Sequence, residues 1–285
     1  MVSKLGIVGL FAALAVAPTI VAAQSLSLHG FGDVSFKNDY VTPRGLAVTT
    51  AGDTVQALDG LVLDQPLDPK GFFTDVSVVG GTWTDWNPGY DTHRNAESFN
   101  EFDWFLGANA KIGQDWKVGA QYGQFISPQK AFRTESNIEF SLAFDDSPYM
   151  KVVKFQPYVK LFYAAAGDST VVVGRKGGTF DVELGASPTL DLHPYKIPLI
   201  LSAPSWITLG PSDFWGGGGN AGVFSTGLKA TYPLPLPPTA GHWSFYGAYQ
   251  YYHLINERLV LAEFLLNGKS DRDISLFSVG VGLGF

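Results

Sequence analysis

The chain has 285 residues, with 19 Lys and Arg against 26 Asp and Glu, a formal charge of −7 and a pI near 5.1. That balance excludes general nucleic-acid binding, which needs a basic face, and the lack of any Cys excludes a disulfide scaffold, a thiolate metal site and a Cys nucleophile. Charged residues are only 16% and aromatics 14%, yet the mean hydropathy of +0.09 is far too low for a polytopic helical membrane protein, so the composition fits a chain that is apolar on one surface and polar on the other.

Residues 1–23 read as a cleaved signal peptide. Lys4 is the only charged residue before Asp33, Leu5 to Ala17 is apolar, and Val21-Ala22-Ala23 offers small residues for cleavage after Ala23. The mature domain is then 24–285. No later segment has the ~18 consecutive apolar residues of a membrane helix. If the mature chain spans a membrane, it does so as a closed barrel of strands.

Twelve strands are predicted in chain order. The first lies near 26–40 and carries Asp33. Segments 54–64 and 72–85 follow, with weaker alternation. Glu101–Ile112 divides cleanly: Phe102, Trp104, Leu106, Ala108, Ala110 and Ile112 lie on one face, and Glu101, Asp103, Asn109 and Lys111 on the other. Trp116–Tyr122 places Lys117 opposite its apolar face. Asn137–Asp145 sets Ile138, Phe140, Leu142 and Phe144 against Glu139, and Val153–Tyr163 carries Lys154 and Lys160. Phe180–Leu192 sets Phe180, Val182, Leu184 and Leu190 against Asp181 and Glu183. Segment 198–209 alternates poorly; Phe224–Tyr232, with Lys229, and Trp243–Tyr251 alternate well. The last strand is the clearest, with Phe277, Val279, Val281, Leu283 and Phe285 facing Ser278, Gly280, Gly282 and Gly284. An aromatic last residue on an alternating strand resembles the signature by which outer-membrane barrels are recognised for assembly, which makes Phe285 the candidate contact for the barrel assembly machinery.

Short turns such as Asp68-Pro69-Lys70-Gly71 and Gly113-Gln114-Asp115 alternate with longer connections at 41–53, 87–98, 127–136, 167–178, 210–220 and 254–272. Short turns on one side and long loops on the other is the outer-membrane arrangement. A β-sandwich also alternates, but it does not explain why Trp104, Trp116, Tyr122, Tyr163, Tyr232, Trp243 and Tyr251 sit near strand ends on the apolar face, as an interfacial girdle requires. The expected fold is therefore all-β, a transmembrane antiparallel up-and-down barrel of about twelve strands.

With that layout on the page, the chain resembles a family of outer-membrane porins, the TorF-like group. The likeness covers most of the mature chain and is sharpest at Asn38-Asp39-Tyr40-Val41-Thr42-Pro43-Arg44-Gly45. The family carries Asp-Tyr, two residues and Arg-Gly at the end of the first strand; here three residues intervene. The resemblance implies a Gram-negative outer-membrane barrel with a transport role and supplies no catalytic residues. The motif itself, Asp39, Tyr40, Arg44 and Gly45, reads as a rim feature in which Arg44 pairs with Asp39 and Gly45 permits a tight turn.

If the apolar faces meet outer-membrane lipid, Asp33, Glu101, Asp103, Lys111, Lys117, Glu139, Lys154, Lys160, Asp181, Glu183 and Lys229 line the interior. These mixed charges either line a narrow pore for small-molecule solutes or lock it shut. Segment 254–272 is a short helix, an extension of the preceding strand, or a segment folded into the mouth. A closed structural or binding barrel and an outer-membrane enzyme stay as alternatives. The five His residues, His29, His93, His193, His242 and His253, show no metal-ligand spacing, and there is no Gly-x-Ser-x-Gly elbow. No catalytic residue, metal or cofactor is expected.

Overall fold

The computed structural model describes residues 25–50, 52–88, 98–167 and 177–285. Residues 1–23, expected to be a signal peptide, and His93 lie outside them. The strands, in chain order, are β1 (Ser27–Lys37), β2 (Tyr40–Val41), β3 (Ala47–Thr49), β4 (Thr54–Pro66), β5 (Phe73–Trp86), β6 (Phe99–Ile112), β7 (Trp116–Ile126), β8 (Glu135–Phe144), β9 (Val153–Lys154) and β10 (Pro157–Ala166). They continue as β11 (Thr179–Ala186), β12 (Thr189–Asp191), β13 (Ile200–Ser202), β14 (Ser205–Leu209), β15 (Ala221–Pro233), β16 (His242–Leu254) and β17 (Asp273–Gly284). Among the described residues, one α-helix, α1 (Glu257–Asn267), precedes β17.

Every strand pairs antiparallel with its neighbours, and β1 pairs with β17 from Phe31↔Gly284 to Lys37↔Ser278, so the sheet closes on itself. Twelve staves result: β9–β10, β11–β12 and β13–β14 each form one interrupted stave, and β2–β3 is a separate small hairpin. Closure pairs both edges of the long staves; the two-residue β9, which pairs only with β12, and the β2–β3 hairpin are the exceptions.

The period-two pattern is the reason this register holds, because a slip of one residue would exchange the two faces of a stave. The glycines of the last strand let neighbours close in. A Cβ on Gly280 would sit 2.5 Å from the Tyr246 ring, and one on Gly30 would sit 2.1 Å from the ring of Phe285. Phe285 thus packs its side chain against the first strand and joins the two ends of the barrel.

Three adjacent staves break at one level, at Phe155–Gln156, Ser187–Pro188 and Ala203–Pro204. Pro188 and Pro204 have no N–H to give to the ladder. The breaks are stitched instead by Ser187 N–H to Phe155 O (3.0 Å), Ala203 N–H to Pro188 O (2.8 Å) and Gly227 N–H to Pro204 O (2.9 Å). Gln156 takes a positive φ of 49°. Its N–H and that of Phe155 both donate to the Asp146 carboxylate, at 3.1 and 2.7 Å. The strands expected over 153–163, 180–192 and 198–209 are therefore each interrupted, but side chains keep their face across each break.

The long connections gather at one end of the barrel, the loop end, and the short turns at the other. Beside one such turn residue, the Ser147 hydroxyl and N–H hold the Asp145 carboxyl below the usual carboxylate range. Segment 254–272 resolves into α1. Asn256 caps it by accepting from Arg258 N–H at 2.8 Å, and Gly268 ends it in the left-handed region (φ 73°). The buried apolar core lies inside the loop end. It joins Phe162 and Ala164 of β10, Val223 of β15, Tyr252 and Leu254 of β16, and Ile274 and Leu276 of β17 to Val41 and Ala47 of the hairpin, Phe214, Trp215 and Leu259.

Candidate functional site

The register puts one row of side chains through the interior. Asp85 pairs with Glu101, Trp83 with Asp103, Lys111 with Lys117, Gln121 with Glu139, Lys160 with Glu183 and Phe162 with Asp181. The opposite face of these staves carries the exposed apolar side chains, such as Leu106, Phe140, Leu184, Phe277 and Val279. The interior divides into two regions.

At the loop end, the first connection turns inward and crosses the lumen. Thr42 N–H donates to Leu46 O (2.9 Å) and Gly45 N–H to Thr42 O (2.9 Å), so Pro43 and Arg44 form the tip. Gly45 has φ 89°, and a Cβ there would lie 2.9 Å from Val223 and 3.0 Å from Leu259. Only glycine fits both the angle and the space. At one side of the hairpin, the Tyr40 hydroxyl donates to Glu101 at 2.9 Å and its ring meets Trp83 at 5.4 Å. At its tip, the Arg44 guanidinium donates to Asp181 at 3.1 Å and lies 3.6 Å from Glu139. It also stacks 3.3 Å over the Phe162 ring. Trp206 Nε1 donates to Pro43 O at 2.9 Å. Asn267 of α1 donates to Ala47 O at 2.9 Å. The hairpin leaves from β1, the first stave, and Arg44 reaches β8 and β11, the sixth and eighth of twelve. It therefore spans the barrel.

This corrects the expected Asp39–Arg44 rim pair. Arg44 is drawn inside by carboxylates on the far wall, and Asp39 stays at the rim, where Asn38 donates to it. Burial pushes the Asp39 carboxyl up to about 6, against the opposing pull of Lys269.

Beside the hairpin lies a group of buried polar side chains: Asp85, Glu101, Asn100 and Gln56, with Thr54 donating to Asp85. Asn100 and Gln56 donate to Asp85 at 3.0 and 3.1 Å. Lys37 donates to Gln56 at 2.5 Å. Glu135 and Asn137 of β8 are also buried. Of these, sequence reasoning found only Glu101. Lys37 shares the parity of Asp33 on β1, so extending that parity to the strand end would have found it; Gln56 and Asp85 lie on segments 54–64 and 72–85, whose weak alternation assigned no faces.

At the turn end, the lumen holds a cavity of about 580 Å³ lined by Asp75, Ser77, Asn109, Lys111, Lys117, Ser141, Gln156, Tyr158 and Lys160. Lys160 faces Glu183 at 3.6 Å and Glu139 at 4.0 Å. Lys154 sits in β9 opposite Thr189. On the other wall, Tyr246 donates to Asp33 at 2.8 Å and Lys229 lies 3.7 Å from the Tyr246 ring centroid. His193 and His253 make exposed contacts with Asp191 and Asp273 at 2.6 and 2.8 Å.

The chain matches no known protein family and no curated protein. Among solved structures it is similar to the COG4313 outer membrane channel from Pseudomonas putida F1, with 8% identity, a TM-score of 0.49, 95% of this chain covered and 100% of that one. It is also similar to the KdgM porin in complex with disordered oligogalacturonate (8% identity, TM-score 0.43, 90% and 99% covered). A third is the outer membrane channel DcaP of Acinetobacter baumannii (8% identity, TM-score 0.41, 92% and 97% covered). At these values the likeness is one of barrel architecture.

Proposed function

We propose that this chain is a Gram-negative outer-membrane channel for passive passage of small solutes, with its loop end outside the cell and its turn end in the periplasm. The reading is carried by one observation: the outward face of twelve closed staves is mostly apolar around the waist, while nearly all the charged side chains of the described staves point inward. In water such a protein would expose Leu, Val and Phe around its whole waist; in a bilayer that band meets lipid. Trp116, Tyr163, Tyr232 and Phe285 then mark its borders.

The hairpin β2–β3 is the constriction. Twelve staves enclose more room than eight, whose interiors side chains fill, and less than an open sixteen-stranded pore. A loop across such a lumen sets what passes. Solutes enter past the hairpin, between the Arg44 tip and the carboxylates beside Tyr40, and reach the wider lysine-bearing cavity below. The 39–45 motif of the TorF-like resemblance has, in this reading, a physical role as the base and tip of the constricting loop. Among the described exposed His–Asp contacts, only His29 has a hydroxyl beside it, and there Ser27 Oγ (3.0 Å) and Asp64 (3.4 Å) share the one Nε2, so they do not form a nucleophile–base–acid relay.

The test is planar-bilayer conductance of the refolded mature chain, after a gel has shown heat-modifiable mobility. Unitary current steps are expected. A folded barrel without current would move the assignment to a closed structural barrel.

A further inference from the structure

One register row through the lumen is basic along its whole course. On the wall from β9 to β1, Lys154 is paired with Thr189, Thr189 with Ser202 and Ser202 with Lys229. The row continues from Lys229 to Ala248, from Ala248 to Ser278 and from Ser278 to Lys37. All of these side chains share the inward parity of their staves. Lys154 lies at the turn end and Lys37 at the loop end of β1, so the row climbs the lumen as the staves tilt. A lysine recurs every third stave, roughly 14 Å along the wall at about 4.8 Å per stave.

None of these lysines has an ion pair among the described residues. Lys37 donates to the neutral Gln56 amide at 2.5 Å, and Lys229 lies 3.7 Å over the Tyr246 ring. The inward carboxylates on the same staves are held by other donors. Asp33 accepts from the Tyr246 hydroxyl at 2.8 Å, and Asp191 accepts from His193 N–H at 2.9 Å. Each gap between lysines holds a serine, Ser202 or Ser278, whose hydroxyl makes no hydrogen bond among the described residues. The opposite wall, made of β6–β8, β10 and β11, is the reverse. There, inward carboxylates such as Glu101, Glu139, Asp181 and Glu183 outnumber lysines, and Lys160 is held between two of them, at 4.0 and 3.6 Å. An anion is therefore drawn to one wall of the lumen and pushed from the other.

We infer that this row is a track for small organic anions that also carry hydroxyl groups, passing a carboxylate from Lys37 to Lys229 to Lys154. The inference rests on the channel reading above and names the solute class for it. An ammonium gives the carboxylate a charge-assisted hydrogen bond, and the serine in each gap meets a hydroxyl of the same solute. Single contacts in series hold the solute at each position and release it to the next. A bare ion such as chloride uses the charge of the lysines and has no use for the serines.

The test is the reversal potential of the refolded chain in planar bilayers, under a gradient of potassium gluconate and, separately, of potassium chloride. Heat-modifiable mobility of every variant and unitary steps of the wild type in potassium chloride are scored first. Absence of wild-type steps would overturn the channel reading and this inference with it; their presence isolates the track. Gluconate is expected to permeate the wild type. Its permeability relative to potassium falls about tenfold in Lys229→Met and in Lys154→Met, more than that of chloride, and returns with Lys229→Arg, which keeps the charge. Ser202→Ala combined with Ser278→Ala lowers gluconate permeability about threefold and leaves that of chloride unchanged. A wild type closed to gluconate, equal falls for gluconate and chloride in the lysine variants, or gluconate permeability unchanged by the loss of both serines would overturn it.

Discussion

The two ends of the lumen are built from the same alternating strands and behave as opposites. At the loop end, Arg44 and Asp181 are nearly closed to solvent, with side chains 11% and 2% exposed. At the turn end, Lys160 is 38% exposed beside Glu183, and Lys117 faces an open cavity. The difference comes from the first connection, which folds inward at one end, while the short turns at the other fold nowhere. A buried charge held by a partner is costly to disturb, and an exposed one is cheap to change. The loop end is therefore where substitutions alter structure, and the turn end is where they alter only the field that a solute meets.

The largest effect is expected from Gly45→Val. It places a β-branched side chain at φ 89°, against Val223 and Leu259. The hairpin leaves its seat while the staves remain, which limited proteolysis reads as new cleavage between residues 38 and 53. Unchanged protection would show that the hairpin is not held by this close approach.

Arg44→Ala comes next. Removing one partner of a buried pair typically costs ~3–5 kcal/mol. Most of that falls on hairpin docking, so cleavage rises as in Gly45→Val, and the temperature of the heat-modifiable shift drops. A shift temperature equal to wild type would mean that the Asp181 contact carries little.

Lys117→Glu sharpens the contrast from the other end. It reverses a charge at an exposed site, so stability should stay within about 0.5 kcal/mol. The reversal potential in a salt gradient should move toward cations, and no movement would remove the turn-end cavity from the conduction path.

The smallest effect is that of pH on the rim. Asp39 has a folded value of about 6, raised by burial above its ordinary range. The protonated form therefore suits the folded rim. Its contribution is present at low pH and is lost as pH rises through about 6. Hairpin protection should fall slightly over that window in wild type and stay flat in Asp39→Asn. A fall of equal size in both would assign the dependence to another group.

Most staves were legible because period two survives along them, and in β9–β10 and β11–β12 it survived even across the breaks at Gln156 and Pro188. The girdle aromatics and Phe285 were legible for the same reason. Arg44 was not. Local sequence shows a Pro-Arg-Gly turn, and nothing within it reveals that Asp181, 137 residues away, will be the nearer carboxylate in space. The apolar core at the loop end was hidden for a related reason. Phe162, Tyr252, Ile274 and Leu276 point inward where polar residues are expected, because they pack on the hairpin instead of meeting water. Segment 54–64 alternates poorly because Asp59 interrupts its outward row and Leu58 and Val62 its inward one.

The most direct test is single-channel conductance of the wild-type chain and Arg44→Ala, recorded side by side under one salt condition. The hairpin as constriction predicts unitary steps in both and larger steps in the variant, since the tip no longer bridges to β8 and β11. Steps of equal size would contradict it by showing that the hairpin does not set the opening.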